Sequence, residues 1–429
     1  MEQTVRQGPV RRRSVVLGAA ALGLGAMAWR RSPWAATGPL RHEAYVWQRV
    51  WGPAVQRAVA RAADDFTALT VLGAEVSGAP GEPVTDVRFA GDALRQSALP
   101  VTLAVRVQTP TSGASEPDDE VVRGAITRML RRADEQGIAV GEVQLDVDRP
   151  SGQLDAYRSW LGRLRGVIGA RALTATTLPA WLHRPAFVSL AAELDGYVLQ
   201  VHGLERPAPG RASLFDRAAA LRAVAMAGAL GRPFRLALPT YRYEVAFDAS
   251  GGAVGVSAEG PARTWRPEQR VERTGARPAD VAALVGALTE ARPGALRGLV
   301  WYRLPVDGDE HNWARPTLRA VQAGREPQAR LTARMVPEPT GAWSVVLRND
   351  GDDGSSYGNT ILVSWPPSAR RVASDALGGA SEEHEGSGVT LRPGRPLELR
   401  PGQECAVGWV RLAGEGAPVV RLGQDGVPA

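Results

Sequence analysis

The sequence predicts an α/β protein, a (β/α)8 barrel followed by a C-terminal β-sandwich domain, and three observations lead to this prediction. Short apolar segments alternate with helical segments from about residue 43 to 323, a pattern typical of a parallel sheet. Eight such units in roughly 280 residues fit a closed barrel better than an open doubly wound sheet. Beyond Gly324 only β-type segments follow, separated by stretches rich in Gly, Pro, Ser and Asp, as in a sandwich.

Each predicted strand is a short run of apolar and β-branched residues, and each predicted helix has a longer amphipathic period. The strands are expected at residues 44–50, 67–76, 99–107, 141–147, 172–178, 196–202, 234–241 and 296–304. The helices are expected at residues 53–64, 91–97, 118–136, 154–168, 187–194, 214–230, 280–290 and 315–323. We therefore divide the chain into a signal segment at 1–36, a barrel at 37–324 and a β-sandwich domain at 325–429.

The composition excludes several classes of protein. The 429 residues contain no lysine, so all 51 basic residues are arginine. A Walker A loop and a Schiff-base lysine are therefore impossible. Five of the six net positive charges lie within residues 1–36. The remainder is almost neutral, so we expect no nucleic-acid partner.

The N-terminus has the pattern of an export signal. Arg12 and Arg13 precede an uncharged apolar run, residues 15–29, that is shorter than the ~20 residues a membrane-spanning helix needs. The arginine pair resembles the twin-arginine consensus, which directs folded proteins across the bacterial inner membrane. We expect a periplasmic or otherwise extracytoplasmic protein that meets the membrane only through this segment. Whether it is cleaved after Ala28 or kept as an anchor stays open.

Carboxylates at the C-terminal ends of the predicted strands are the candidate catalytic residues, because functional groups of barrels project from these ends. Asp146 and Asp148 share one face of strand four, with Cα atoms about 6.5 to 7 Å apart. Such a pair can divide into an acid with a raised pKa and an ionised partner. Glu75 on strand two is the third candidate. The alternative for the two aspartates is a purely structural ion pair with a nearby arginine.

Aromatic and polar residues at the same strand ends are the candidate ligand-binding residues. Aromatic rings beside carboxylates suit a sugar, whose CH face packs on a ring while its hydroxyls form hydrogen bonds. Alternatively, the tryptophans only plug the barrel. The candidates are Trp47, Arg49, Arg106, Gln200, His202, Tyr241, Trp301 and Arg303.

The sequence indicates neither a metal nor an organic cofactor. The five histidines show no paired spacing of the kind that binds zinc. No G-x-S-x-G elbow is present, which argues against a serine hydrolase.

Three segments, at residues 45–51, 144–148 and 299–305, resemble the bacterial domain of unknown function 3142. The resemblance covers about residues 43 to 323 and implies a barrel of the glycoside-hydrolase type. Strand four also resembles the D-x-x-D-x-D-x-E signature of family-18 chitinases, with Asp146 and Asp148 at its second and third acids. Val143 stands at the first acidic position and Pro150 at that of the catalytic glutamate, so the acid which that mechanism needs is absent.

These observations together predict an exported, monomeric, carbohydrate-active protein that resembles glycoside hydrolases. It would act on, or recognise, a cell-envelope polysaccharide. Two alternatives remain open at this point. The barrel could bind a glycan without catalysis, or the protein could be an envelope scaffold that uses its β-sandwich domain to bind other proteins.

Overall fold

The computed structural model describes residues 34–77, 84–108, 118–203, 214–258 and 263–423. The export signal predicted at residues 1–36 therefore lies almost wholly outside the described residues. Nine strands form the first sheet: β1 (Arg41–Val46), β2 (Ala68–Val76), β3 (Thr85–Asp86), β4 (Val101–Val107), β5 (Val140–Val147), β6 (Ala172–Thr177), β7 (Gly196–Gln200), β8 (Phe234–Pro239) and β12 (Leu296–Tyr302).

Eight of these strands close into a parallel barrel. The order is β1-β12-β8-β7-β6-β5-β4-β2, and β1 also pairs with β2, which completes the ring. The two-residue β3 adds an antiparallel pair to β2. The predicted (β/α)8 barrel is thus confirmed.

Helices follow most of the barrel strands and cover the outer face. They are α1 (Pro53–Ala60), α2 (Gly91–Ser97), α3 (Asp119–Glu135), α4 (Leu154–Ile168), α5 (Pro185–Glu193), α6 (Arg217–Ala229), α7 (Pro278–Glu290) and α8 (Arg315–Gln322). Their ends follow local rules: Asp118 and Asp216 cap α3 and α6, and proline lies in the first turn of α1, α5, α7 and α8. No helix in the described segments has the length and apolar character that crossing a lipid bilayer requires.

One β-bulge in β2 sets the direction of a candidate site residue. The register between β2 and β4 shifts between Leu72 and Ala74, so that Glu75 pairs with Arg106. Paired residues of parallel strands point to the same face, and the bulge therefore turns Glu75 into the barrel. The bulge lies at Gly73, where a Cβ atom would collide with Met129 of α3.

A small antiparallel sheet is inserted between β8 and α7, which the sequence analysis did not predict. It consists of β9 (Arg242–Phe247), β10 (Ala253–Ser257) and β11 (Arg270–Gly275), in the order β10-β9-β11. Because it follows the C-terminal end of β8, it lies at the end of the barrel that carries the candidate residues.

The strands that the structure describes in the C-terminal part are all antiparallel, as predicted. They are β13 (Leu331–Pro337), β14 (Ala342–Asn349), β15 (Ser355–Tyr357), β16 (Ile361–Ser364), β17 (Ala369–Ala376), β18 (Ser381–Glu385), β19 (Gly388–Arg392), β20 (Leu397–Leu399), β21 (Glu404–Gly414) and β22 (Val419–Leu422). Two four-stranded sheets, β13-β14-β21-β17 and β18-β19-β16-β22, enclose one apolar core, and β15 pairs with β20. That core is separate from the one of the barrel.

Candidate active site

Contacts across the barrel show which residues point into it. Gln144 of β5 donates a hydrogen bond to the hydroxyl of Tyr45 on the opposite strand β1 at 2.5 Å. Strand alternation then directs Asp146 of β5, and Trp47 just after β1, to the interior, and Asp148 follows β5 at the C-terminal opening. We call this opening the barrel mouth.

Ion pairs occupy one side of the barrel mouth, formed by β2, β4, β5 and β6. Arg49 binds Glu75 through two hydrogen bonds, at 2.6 and 2.8 Å. The guanidinium of Arg106 lies 4.0 Å from the carboxylate of Asp146. Thr176 donates a hydrogen bond to Oδ1 of Asp146 at 2.6 Å. We call this side the charged sector.

Asp146 has an electrostatic environment unlike that of a surface carboxylate. Its side chain is only 17% exposed. Burial raises its pKa above the ordinary value, while the Thr176 hydrogen bond and Arg106 lower it and the negative charges of Asp148 and Glu75 raise it further. Since burial is the largest of these effects, Asp146 holds a proton more readily than a free aspartate. Asp148, two residues further on, is exposed at the rim.

Aromatic rings occupy the opposite side of the barrel mouth, formed by β1, β7, β8 and β12. Tyr302 lies at the centre, with its ring centroid 5.6 Å from Trp47, 5.7 Å from His202 and 5.4 Å from Tyr241. It also contacts Tyr45 at 5.7 Å. We call these five residues the aromatic sector.

Several polar atoms of the aromatic sector have no hydrogen-bond partner among the described residues. They are Nε1 of Trp47 and both ring nitrogens of His202. His202 is only 8% exposed, and burial lowers its pKa to about 3, so its ring is neutral at ordinary pH. Buried polar groups are usually paired, and these atoms are therefore available to a ligand that carries hydroxyl groups.

Two predicted binding residues are not brought to the barrel mouth. Trp301 is fully buried on the outer wall, where its indole donates a hydrogen bond to Nδ1 of His42 at 3.0 Å and stacks on that ring. The adjacent Tyr302 faces the interior instead, because successive side chains of a strand alternate. Arg303 is 2% exposed and binds Asp309 at 2.6 Å and the carbonyl of Ala258 at 2.8 Å.

The other predicted residues share the barrel mouth. Gln200 faces inward on β7, where its side-chain amide donates to the carbonyl of His202 at 3.1 Å. The sequence analysis missed Tyr45, Tyr302 and Thr176 as site residues. Thr176 could have been found, since it lies on the strand next to Asp146 and Thr side chains that face a carboxylate readily donate to it. Tyr302 had a weaker signal, because β12 is apolar on both faces from Gly298 to Trp301.

A buried ion-pair triad closes the floor of the barrel below these sectors. Arg235 of β8 binds Glu43 of β1 at 2.8 Å and also Glu142 of β5, which accepts a further hydrogen bond from Thr174 at 2.5 Å. Burial alone would lower the pKa of Arg235, but the two carboxylates outweigh it and raise the pKa. The triad therefore stays charged and holds strands from opposite sides of the barrel together.

The described residues do not form a metal site of the usual kind. No group of three or more His, Cys, Asp or Glu side chains gathers there in a cation-binding arrangement. Pro150, at the position of the chitinase glutamate, begins the short turn that precedes α4 and is exposed. The acid of that signature is therefore absent from the end of β5.

Comparison with protein families gives a match over part of the barrel. Residues 98–307 match the model of the domain of unknown function 3142. The match lies within the resemblance predicted from the sequence and confirms it over these residues. No curated protein sequence matches the chain.

Several solved structures are distantly similar to the chain. The spore cortex-lytic enzyme SleL of Bacillus cereus is 12% identical, with 67% of this chain and 75% of that chain covered and a TM-score of 0.47. SleL of Bacillus megaterium is also 12% identical, with coverage of 68% and 73% and a TM-score of 0.45. A chitinase of Chromobacterium violaceum is 15% identical, with coverage of 66% and 98% and a TM-score of 0.43.

Proposed function

We propose that this protein is an exported carbohydrate-active protein that acts on, or recognises, a cell-envelope glycan in its barrel mouth. The observation that carries the proposal is the division of the barrel mouth into a charged and an aromatic sector. A sugar has both kinds of surface, an apolar CH face and a set of hydroxyl groups. Neither sector alone would suit it as well.

The aromatic sector supplies the binding part of the proposal. A sugar ring would pack against Tyr302 and Trp47, whose rings already line the interior. Its hydroxyls would accept from Nε1 of Trp47 and pair with the nitrogens of His202, which have no partner among the described residues. Binding would thus satisfy buried polar atoms that are otherwise unpaired, which contributes to both affinity and specificity.

The charged sector supplies the catalytic part. Asp146, whose pKa is raised by burial, would give its proton to the glycosidic oxygen as the bond from that oxygen to the sugar carbon breaks. Asp148 would accept a proton from the water that attacks this carbon. Glu75 uses both of its oxygens to bind Arg49, so we assign it to holding Arg49 rather than to proton transfer.

A second candidate function is glycan binding without hydrolysis. Pro150 favours it, since that residue stands where the chitinase signature has its proton donor. Arg106 close to Asp146 fits this reading as well, because a guanidinium stabilises the ionised form of a carboxylate. Under this proposal the aromatic sector keeps its role and the aspartates only form hydrogen bonds to sugar hydroxyls.

A screen of the purified protein against envelope polysaccharides tests both functions, if release of reducing ends and binding are measured in parallel. For an enzyme, Asp148→Asn should abolish nearly all turnover and leave affinity within about tenfold, since lost transition-state stabilisation appears in kcat. For a binding protein, no release occurs and affinity is the only readout. If the protein neither releases reducing ends nor binds any glycan of a broad panel, both proposals are overturned. The envelope scaffold is then the alternative that is left.

A further inference from the structure

The segment that follows β12, residues 303–313, leads from the barrel mouth to α8 and is hydrogen-bonded to the C-terminal domain. We call it the β12 loop. It begins directly after Tyr302, the central ring of the aromatic sector. Its buried polar residues are Arg303, Asp309, His311 and Asn312. A loop with so many buried polar groups depends on specific hydrogen bonds for its conformation.

On the barrel side, the β12 loop is tied to residues next to the aromatic sector. The amide of Thr240 donates to the carbonyl of Tyr302 at 2.8 Å, and its hydroxyl donates to the carbonyl of Arg303 at 2.7 Å. The side chain of Asn312 donates to the carbonyls of Arg303 and Leu304 at 3.1 and 3.2 Å. The position of Tyr302 is therefore coupled to the conformation of the loop.

On the other side, one residue of the C-terminal domain forms hydrogen bonds to the same loop. Arg400 follows β20 and donates through Nη1 to the carbonyl of Asp309 and through Nη2 to the carbonyl of Asn312, each at 2.9 Å. Asp309 in turn binds Arg303 through its carboxylate at 2.6 Å. A forked guanidinium that holds two carbonyls at once fixes their spacing.

We propose that Arg400 is a positioning residue for the barrel mouth, so that the C-terminal domain forms part of the glycan site without touching the glycan. The hydrogen bonds of Arg400 fix the position of Tyr302 through Asp309, Asn312 and Arg303. The part of this inference that concerns affinity rests on the proposed function of the barrel mouth. The part that concerns Tyr302 does not, and it can be measured without any ligand.

Hydrogen exchange of backbone amides in the full-length protein tests the ligand-free part. Arg400→Ala should speed exchange at least tenfold at the amides of Thr240 and Trp313, whose bonds to Tyr302 and Thr240 report on the loop. Arg400→Lys, which can hold only one carbonyl well, should give an intermediate rate. Arg411→Ala is the matched control, since Arg411 is exposed on β21 of the same domain and should change neither amide.

Affinity for a glycan that the screen identifies tests the second part. We expect Arg400→Ala to bind about tenfold more weakly than wild type and Arg411→Ala to bind equally well. Unchanged exchange in Arg400→Ala would overturn the inference. Faster exchange with affinity within twofold of wild type would also overturn it, because the loop would then not position Tyr302 for binding. If wild type binds no glycan, the proposed function fails, while exchange at Thr240 still decides whether Arg400 positions Tyr302.

Discussion

At the scale of single residues, the raised pKa of Asp146 leads to the most specific electrostatic prediction. Burial raises its pKa in the folded protein, so the folded state binds a proton more tightly there than the unfolded chain does. Below its ordinary pKa of about 4, Asp146 is protonated in both states and does not destabilise the fold. As the pH rises through the raised pKa of the folded state, ionisation of Asp146 lowers the free energy of unfolding.

Replacing Asp146 by Asn removes that cost while keeping an oxygen that can accept from Thr176. We expect Asp146→Asn to be more stable than wild type at pH 7 and the difference to vanish as the pH falls below about 4. Asp195→Asn should show the opposite sign at pH 7, because the hydrogen bond from Arg165 lowers the pKa of Asp195. Urea unfolding of the three proteins from pH 3.5 to 8 provides the measurement. An Asp146→Asn variant no more stable than wild type at pH 7 would contradict the account.

The neighbours Trp301 and Tyr302 are a matched pair on the two faces of one strand. We expect Tyr302→Ala to weaken glycan affinity by roughly 1 to 3 kcal/mol through lost ring contact. Trp301→Ala should leave affinity unchanged and cost about 3 to 5 kcal/mol in the free energy of unfolding, since it empties a buried site on the outer wall. Titration calorimetry and chemical unfolding separate the two effects. Equal losses of affinity in both variants would show that the faces of β12 are misassigned.

At the scale of strands, the floor triad Glu43–Arg235–Glu142 links β1, β8 and β5. Arg235→Met would leave two carboxylates buried without their cation, which is expected to destabilise the protein by about 3 to 5 kcal/mol. Arg165→Met is the control, because its pair with Asp195 is nearly half exposed and contributes about 1 kcal/mol or less. Denaturant unfolding at neutral pH measures both. Similar small losses in the two variants would mean that the floor triad contributes little to barrel closure.

The alternation of polar and apolar residues determined how much of the site could be predicted from the sequence. Along β5, Gln144 and Asp146 alternate with Leu145 and Val147, so the inward face could be recognised and the aspartates were placed on it. Strand β12 is apolar on both faces from Gly298 to Trp301, and the choice between Trp301 and Tyr302 then depends mainly on register with β1 and β8, which is a long-range property.

Local irregularities explain why the remaining features could not be predicted from the sequence. Glu75 points inward only because of the bulge at Gly73, and a single extra residue in a strand leaves no periodic signal. The inserted sheet of β9 to β11 escaped prediction, because two of its three strands, β10 and β11, are largely exposed and lack the buried apolar run of a barrel strand. The eight parallel strands of the barrel, in contrast, are mostly buried and were all predicted.

At the scale of the whole molecule, export remains a proposal that rests on the paired arginines near the N-terminus. Replacing Arg12 and Arg13 together by Lys should leave the protein in the cytoplasm, because twin-arginine recognition depends on the guanidinium pair rather than on charge alone. Replacing Arg30 and Arg31 by Lys is the matched control and should leave export unchanged. Fractionation of cells that express each variant gives the answer, and normal export of the first variant would exclude the twin-arginine route.

The central claim is that a glycan binds in the barrel mouth between the charged and aromatic sectors. The most direct measurement is a crystal structure of the Asp148→Asn variant soaked with an oligosaccharide that the screen identifies. The account predicts a sugar ring against Tyr302, with hydroxyl groups within hydrogen-bond distance of His202 and Asp146. An oligosaccharide bound elsewhere, for example on the C-terminal sheets, with the barrel mouth empty, would contradict it.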